Sequence, residues 1–480
     1  MQEAGTIELS TELQQLITAE QAWHYRVLPQ SKAENQLTFW VDASKSDFGM
    51  ADELEILLGQ SIVLEKAPAD RVQEALARYY RKTRSGQATA KSAQLNSRKA
   101  DSFLEELIQE AKDLGSSDIH LEVYEESCRV RIRIDGQLIE RYTIEKGEYP
   151  ALVNRIKIRS HLDIAEKRLP QDGRIFFRHF GSEFDIRVSV LPTMHGEKIV
   201  MRILSNDATH IDIAKLGFGE LELERYQEGI KRPNGIVLIS GPTGSGKTTT
   251  LYATLKILNK TTTNVLTIED PIEYTLKGIN QVQVKENIGL SFAAALRSFL
   301  RQDPDIIMLG EIRDGETANM AIRAALTGHL VLSTIHTNSA WGTVSRLVDM
   351  GVPSFLLAST LNTTVAQRLV RLLCPDCKEQ RELTPKLLPS SFEAPRPLTH
   401  HHVAVGCENC YFTGYRGRKA LYEVIPIDQE LSNAIKSQRF EVSEHLDQRN
   451  IKSLRDNAFE LLEQGRTSID EVYPLLLTTT

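Results

Sequence analysis

The sequence predicts an α/β protein. Its core is a parallel sheet covered on both faces, preceded by a smaller α/β domain and an N-terminal docking domain, with a cysteine-rich insertion and a helical C-terminus. Three observations predict it. After about residue 210, short apolar runs repeatedly end in polar, reactive residues and lead into helical patterns, as strands buried on both faces of a parallel sheet do. One such junction is glycine-rich and reads GPTGSGKT. Upstream, the alternating segment CRVRIRI turns at Asp135-Gly136 into QLIERYTI, the pattern of an antiparallel hairpin, so a differently built layer precedes the core.

The 480 residues suit about three domains. Apolar residues make up 41% and charged residues 25%, an ordinary globular balance. The net charge of -7, from 57 basic and 64 acidic residues, disfavours a broad nucleic-acid surface, which would show excess Lys and Arg. It leaves room for a local basic channel. No apolar stretch approaches the ~20 residues that span a bilayer. The start, MQEAGTIELS, lacks the basic and apolar regions of a signal peptide. The expectation is a cytoplasmic chain that meets a membrane only through partners.

Residues 1–82 read as a separate docking or assembly domain. Leu9, Leu13, Leu16 and Ile17 recur at helical spacing, LTFWVDA (37–43) reads as a strand, and ADRVQEALARYY (69–80) as a helix. Residues 83–98 are polar and nearly free of bulky apolar side chains, a linker composition. The second domain, 99–208, opens with a helix whose apolar face holds Phe103, Leu104, Leu107, Ile108 and Ala111. Ser102 with Glu105 fits a capping box and Gly115 a stop. The hairpin follows, then the strands FDIRVSV (184–190) and KIVMRIL (198–204). Cys128 reads as a packed strand residue.

The core, 209–480, carries the chemistry. GIVLIS runs into Gly241, Pro242, Thr243, Gly244, Ser245, Gly246, Lys247 and Thr248, with Thr249 next. This is the full G-x-x-x-x-G-K-[ST] pattern between a strand and a helix. Its backbone N–H groups and helix N-terminus suit phosphate oxygens. Lys247 is placed to reach the β- and γ-phosphates and Thr248 to ligate Mg²⁺. NVLTI (264–268) leads to Glu269, Asp270 and Glu273, any of which can hold Mg²⁺ through water. IIMLG (306–310) leads to Glu311, placed to act as general base or to position water. HLVLSTI (329–335) leads to His336, a candidate γ-phosphate contact.

Taken in order, GPTGSGKT, TIEDPIEY, IIMLGEIRD and GHLVLSTIHTNSA, with LDIAEKRLPQDGRI upstream, resemble the secretion ATPase superfamily. Over 101–430 the chain is similar to the type II secretion ATPases and their relatives that extend type IV pili. The resemblance implies a RecA-like P-loop ATPase core and a cytoplasmic homohexamer that hydrolyses ATP with Mg²⁺. It also implies docking on inner-membrane platform proteins through the N-terminal domain. By the same resemblance Lys247, Thr248, Asp270, Glu311 and His336 fall at motif positions. Arg187 and Arg202 match second-domain arginines that approach the phosphates, and Arg297, Arg301 and Arg313 match a further set on the core.

Cys374-x-x-Cys377 and Cys407-x-x-Cys410 lie 29 residues apart. Two such pairs suit a closed, structural Zn²⁺ site within a module at 370–414. The span between them holds Pro385, Pro389, Pro395 and Pro397, which predicts an irregular loop, and His400, His401 and His402, which offer alternative ligands. The resembling family carries a tetracysteine metal module here. Residues 420–480 read as helices. The leading function is a type II secretion motor, and its rival is a pilus-extension motor. Retraction motors of the superfamily generally lack both the extra N-terminal domain and the cysteine module. A DNA-translocating motor calls for a basic channel with stacking aromatics, which the charge and the 6% aromatic content do not support. A non-hydrolysing scaffold conflicts with intact Lys247, Thr248 and Glu311.

Overall fold

Apolar runs with few breaks became fully buried strands. The structure is a computed structural model and describes residues 7–477 apart from 8, 15, 34–35, 44–48, 81–90, 94–99, 180–181 and 205–211. In the core sheet the strand order is 280–283, 265–269, 306–309, 330–335, 235–240, 361–373 and 415–426. The first six of these pair in parallel, and the last takes in residues 420–426, which were expected to be helical. All six residues of Gly235–Ser240 and all six of Leu330–Ile335 are buried. Val237, Ile239, Met308 and Leu332 share one cluster with Leu251, Leu255 and Tyr226 of the helices Lys247–Leu258 and Glu220–Ile230. Their neighbours of opposite parity, Leu238, Ile307, Leu309 and Val331, are buried too. Helices therefore cover both faces, as the runs predicted.

The second domain is a seven-stranded sheet in the order 91–93, 137–144, 128–134, 118–123, 196–204, 182–193 and 171–179. Its hairpin turns at Asp135 and Gly136, both at positive φ (48° and 88°), as a two-residue turn between right-twisted strands requires. Alternation puts Val130, Ile132, Ile186, Val188, Ile199 and Met201 in a core with Leu104, Leu107 and Leu152 of two helices. The first of these helices spans Ala100–Asp113. Ser102 therefore lies within the helix and not at the N-cap position the capping box assigned to it. Cys128 is buried, as expected of a packed strand residue. Of the expected linker 83–98, residues 91–93 form a strand beside 137–144, and the rest lies outside the described residues.

By compactness the chain groups into two units: 1–89 with 372–416 and 459–479, and 90–371 with 417–458. The second domain thus belongs with the core sheet, while the cysteine module, expected inside a domain spanning 209–480, groups elsewhere. In the N-terminal region a three-stranded sheet, 27–33, 36–42 and 61–67, packs with the helices Met50–Leu58 and Ala69–Tyr79 around Phe39, Leu54, Val72 and Leu76. In the cysteine module, Glu379–Glu382 pairs antiparallel with His400–Val403. The span predicted as irregular is therefore partly a two-stranded sheet, and the three histidines sit on it. Among the described residues, no helix is long and apolar enough to cross a membrane.

Candidate functional site

The phosphate loop leaves the central strand 235–240 and enters the helix Lys247–Leu258. A side chain at Gly241 (φ 150°) would put its Cβ 2.4 Å from the carbonyl oxygen of Gln367. Only glycine lets the loop pass this close to the next strand. Lys247 is 9% exposed, and its Nζ donates to the carbonyls of Gly241 (2.7 Å) and Pro242 (3.0 Å). Burial holds this ammonium below its ordinary pKa; Arg368 pushes the same way and Glu311 opposes. Among the described residues, Ser245 Oγ is buried without a hydrogen-bond partner, an orphaned donor that fits a loop built around phosphate oxygens. Thr248 and Thr249 are exposed at the helix start.

Three adjacent parallel strands, 265–269, 306–309 and 330–335, deliver the remaining core residues to one edge. There, residues distant in sequence meet. Glu311 accepts from Arg313 Nη2 at 2.5 Å and lies 3.6 Å from His336 Nε2, while Arg313 Nη2 stands 3.5 Å from Asp270 Oδ2. The hydrogen bond to Glu311 raises the Arg313 pKa. His336 and Arg313 are about half exposed (51% and 52%), so the cluster is open to a ligand and to water.

Glu269 sits differently from its neighbours. It is 3% exposed and accepts from the Tyr252 hydroxyl, from Thr267 Oγ1 (2.6 Å) and from Gln281 Nε2 (3.1 Å). Its oxygens face those donors inside the sheet. Of the three acidic candidates after this strand, Asp270 and Glu273 are the exposed ones, at 39% and 37%.

From the second domain, Arg187 reaches the core. Its Nη2 donates to the carbonyl of Ile272 (2.6 Å), and its Nη1 lies 3.3 Å from the Glu273 carboxylate. Arg202 instead donates to Asp118 within its own sheet (2.8 Å), a bond that raises its pKa. Arg297 pairs with Glu316, and Arg301 donates to the carbonyl of Arg297 (2.9 Å). These two bind partners on the helices Phe292–Phe299 and Gly315–Leu326, rather than the phosphate loop.

Sequence reasoning missed Arg368. Its guanidinium would be 3.2 Å from a Cβ at Gly241, and it donates to the carbonyls of Gln367 (3.1 Å) and Asn338 (3.0 Å). It thus stands beside the phosphate loop and binds the loop after His336. The available signal was weak: Arg368 is one of two arginines in the mixed strand LNTTVAQRLVRLL.

The four cysteine sulfurs lie within 4.8 Å of one another. Cys374–Cys407, Cys377–Cys410 and Cys407–Cys410 stand at 3.9, 3.8 and 3.8 Å. A tetrahedron with Zn–S bonds of ~2.3 Å has edges of about 3.8 Å, so the spacing fits a metal. Backbone N–H groups of Gly406, Cys407 and Gly414 point at the sulfurs at 3.1–3.3 Å. Burial works to raise the Cys410 thiol pKa, but the N–H groups of Cys407 and Gly414 outweigh it and lower the value. No histidine joins the cluster among the described residues.

With this geometry in place, comparison with known proteins decides the family. The model of the type II/IV secretion system protein family matches residues 93–474. The chain belongs to that family. Its phosphate loop is accordingly that of an ATPase, and the MshEN domain model matches residues 2–86. The type II secretion system ATPase E of Vibrio cholerae is 47% identical over 76% of this chain and 73% of its own length. The type IV pilus assembly ATPase PilB of Myxococcus xanthus is 41% identical over 97% of this chain and 87% of its own length. Among solved structures of the secretion ATPases, the pilus retraction motor PilT with bound ADP superposes with a TM-score of 0.53 at 27% identity. It covers 77% of this chain and 96% of its own.

Proposed function

We propose that this secretion ATPase works as a cytoplasmic homohexamer that couples ATP hydrolysis to pseudopilus assembly and protein export through a type II secretion system. The observation that carries the reading is the joint placement of Glu311, Arg313, Asp270 and His336 at the sheet edge that holds the phosphate loop. In this reading the loop's N–H groups and Lys247 bind the phosphates. Mg²⁺, held by Thr248 with Asp270 or Glu273 through water, supplies charge neutralisation when bound. Glu311 orients the attacking water, and Arg313 and His336 fix its carboxylate. Arg187 brings the second domain against the Asp270–Glu273 loop, so nucleotide binding there favours domain closure and release relaxes it. Arg202, Arg297 and Arg301 are assigned to phosphates at the closed or intersubunit site, in keeping with their exposure and with the arginine fork's fit to phosphate. Four thiolates hold a structural Zn²⁺ that closes the cysteine module. The N-terminal domain docks on the membrane platform, and no nucleic acid is required.

A second reading, a pilus-extension motor, is favoured by the span of the PilB match, which runs over 97% of the chain against 76% for the type II relative. Affinity capture of Glu311→Gln protein from native membranes with ATP tests both. Recovery of secretion-platform proteins supports the first reading, and recovery of pilus-assembly proteins supports the second. Wild-type hydrolysis by the variant would refute the role of Glu311.

A further inference from the structure

We propose that Tyr252 is a positioning residue for hydrolysis: its hydroxyl locks the loop 270–274 to the phosphate-loop helix and so fixes the seat of Arg187. The proposal rests on the reading above that Arg187 acts at the nucleotide.

Tyr252 lies on the helix that begins at Lys247, one turn after Thr248. It is fully buried. A phenol has one proton to donate and lone pairs to accept with. The Tyr252 hydroxyl donates its proton to a carboxylate oxygen of Glu269. A lone pair is left for the backbone N–H of Glu273, which donates to the hydroxyl at 3.3 Å. The hydroxyl is thereby oriented from both sides. Burial and the adjacent Glu269 raise the phenol's pKa, which keeps the donor proton in place. The ring of Tyr274, at the end of the loop, meets Tyr252 edge-on, with centroids 4.4 Å apart.

What the loop presents beyond this point is the docking site itself. Ile272 and Glu273 are the residues that receive Arg187. Direct contacts therefore run from the helix that starts at the phosphate loop, through one hydroxyl, to the arginine of the second domain. Buried polar links of this kind specify one geometry because a buried donor or acceptor left unmet is costly.

The test compares Tyr252→Phe, Thr267→Val, Arg187→Ala and the Tyr252→Phe/Arg187→Ala double variant in the full chain. Melting curves verify folding, and kcat and KM for ATP are read separately. Thr267→Val removes another donor from Glu269 but does not touch Glu273, so it reports the purely structural cost. Tyr252→Phe is expected to lower kcat about tenfold or more, because small misplacements are costly. Its KM and the turnover of Thr267→Val should stay within about twofold of wild type. In the Arg187→Ala background, the Phe change should add less than about twofold, since the two act as one unit. Wild-type kcat in Tyr252→Phe, an equal loss in Thr267→Val, or full additivity overturns the proposal. Wild-type turnover in Arg187→Ala refutes the reading beneath it, whereas an impaired Arg187→Ala beside a normal Tyr252→Phe sinks this inference alone.

Discussion

Arg187 and Arg202 are cross-strand partners in the second-domain sheet, yet they serve different neighbours. Like charges in register repel, and the row continues with Arg174 opposite Arg187 and Asp118 opposite Arg202. The repulsion is relieved by opposite commitments: Arg202 to Asp118 within the sheet, Arg187 to the Ile272 carbonyl and Glu273 of the core. Alanine at either position should therefore act differently. Arg187→Ala is expected to cut kcat/KM for ATP by roughly a hundredfold through loss of a positioned cation. Arg202→Ala should in addition destabilise the second domain, because it strips Asp118 of its hydrogen-bonded guanidinium. Steady-state kinetics beside thermal unfolding separates the two.

Glu311→Gln keeps the side chain's shape and removes its charge. Turnover should fall by roughly 10²–10⁴-fold, the range for a positioned acid or base, with ATP still bound. Equilibrium binding of a fluorescent ATP analogue, set against phosphate release, checks it. Binding lost together with turnover would count against a role in the chemical step.

Gly241→Ala places a Cβ 2.4 Å from a backbone oxygen at φ 150°. Backbone at Gln367 cannot give way cheaply, so strain on the order of 1–3 kcal/mol is expected. ATP affinity should drop by about tenfold or more for the same strain. Isothermal titration would measure it, and wild-type affinity would show that the loop relaxes freely.

Glu122 gives the second domain a pH signature. Desolvation opposes its ionisation, but Arg131, Arg129 and Lys198 win and depress its pKa from 4.5 to about 2. A depressed carboxylate contributes stability above its unfolded value, and that contribution is lost as pH falls through the folded value. Stability should therefore decline between about pH 4.5 and 2. In Glu122→Gln the protein should be less stable at neutral pH and this acid limb shallower. Denaturant unfolding across that range provides the measurement, and an unchanged limb would remove Glu122 as its source.

Metal at the cysteine module should appear as one Zn²⁺ per chain in elemental analysis. Cys377→Ser should abolish it and lower the module's resistance to proteolysis, because metal binding and folding are coupled in such sites. Full occupancy in that variant would exclude Cys377 as a ligand.

Much of this architecture is local and so was written in the sequence. Unbroken apolar runs state that a strand is buried on both faces, and Asp135-Gly136 states a two-residue turn. The phosphate loop is contiguous, so its residue types and spacing declare it without any knowledge of the fold. The paired cysteines likewise declared a metal-type module, although the small sheet between them did not show.

Tertiary structure alone decided how side chains after the strands divide their work. Glu269 and Asp270 are adjacent in sequence, but strand alternation turns the first toward Tyr252, Thr267 and Gln281, while the second stays exposed beside Arg313. The meeting of Glu311 with His336, the approach of Arg368 to Gly241 and the reach of Arg187 across 85 residues to Ile272 depend on strand order and domain packing. Composition and spacing fix which residues can do chemistry. Which of them meet is set by long-range contacts, whose energies belong to pairs of segments and are invisible in either segment alone.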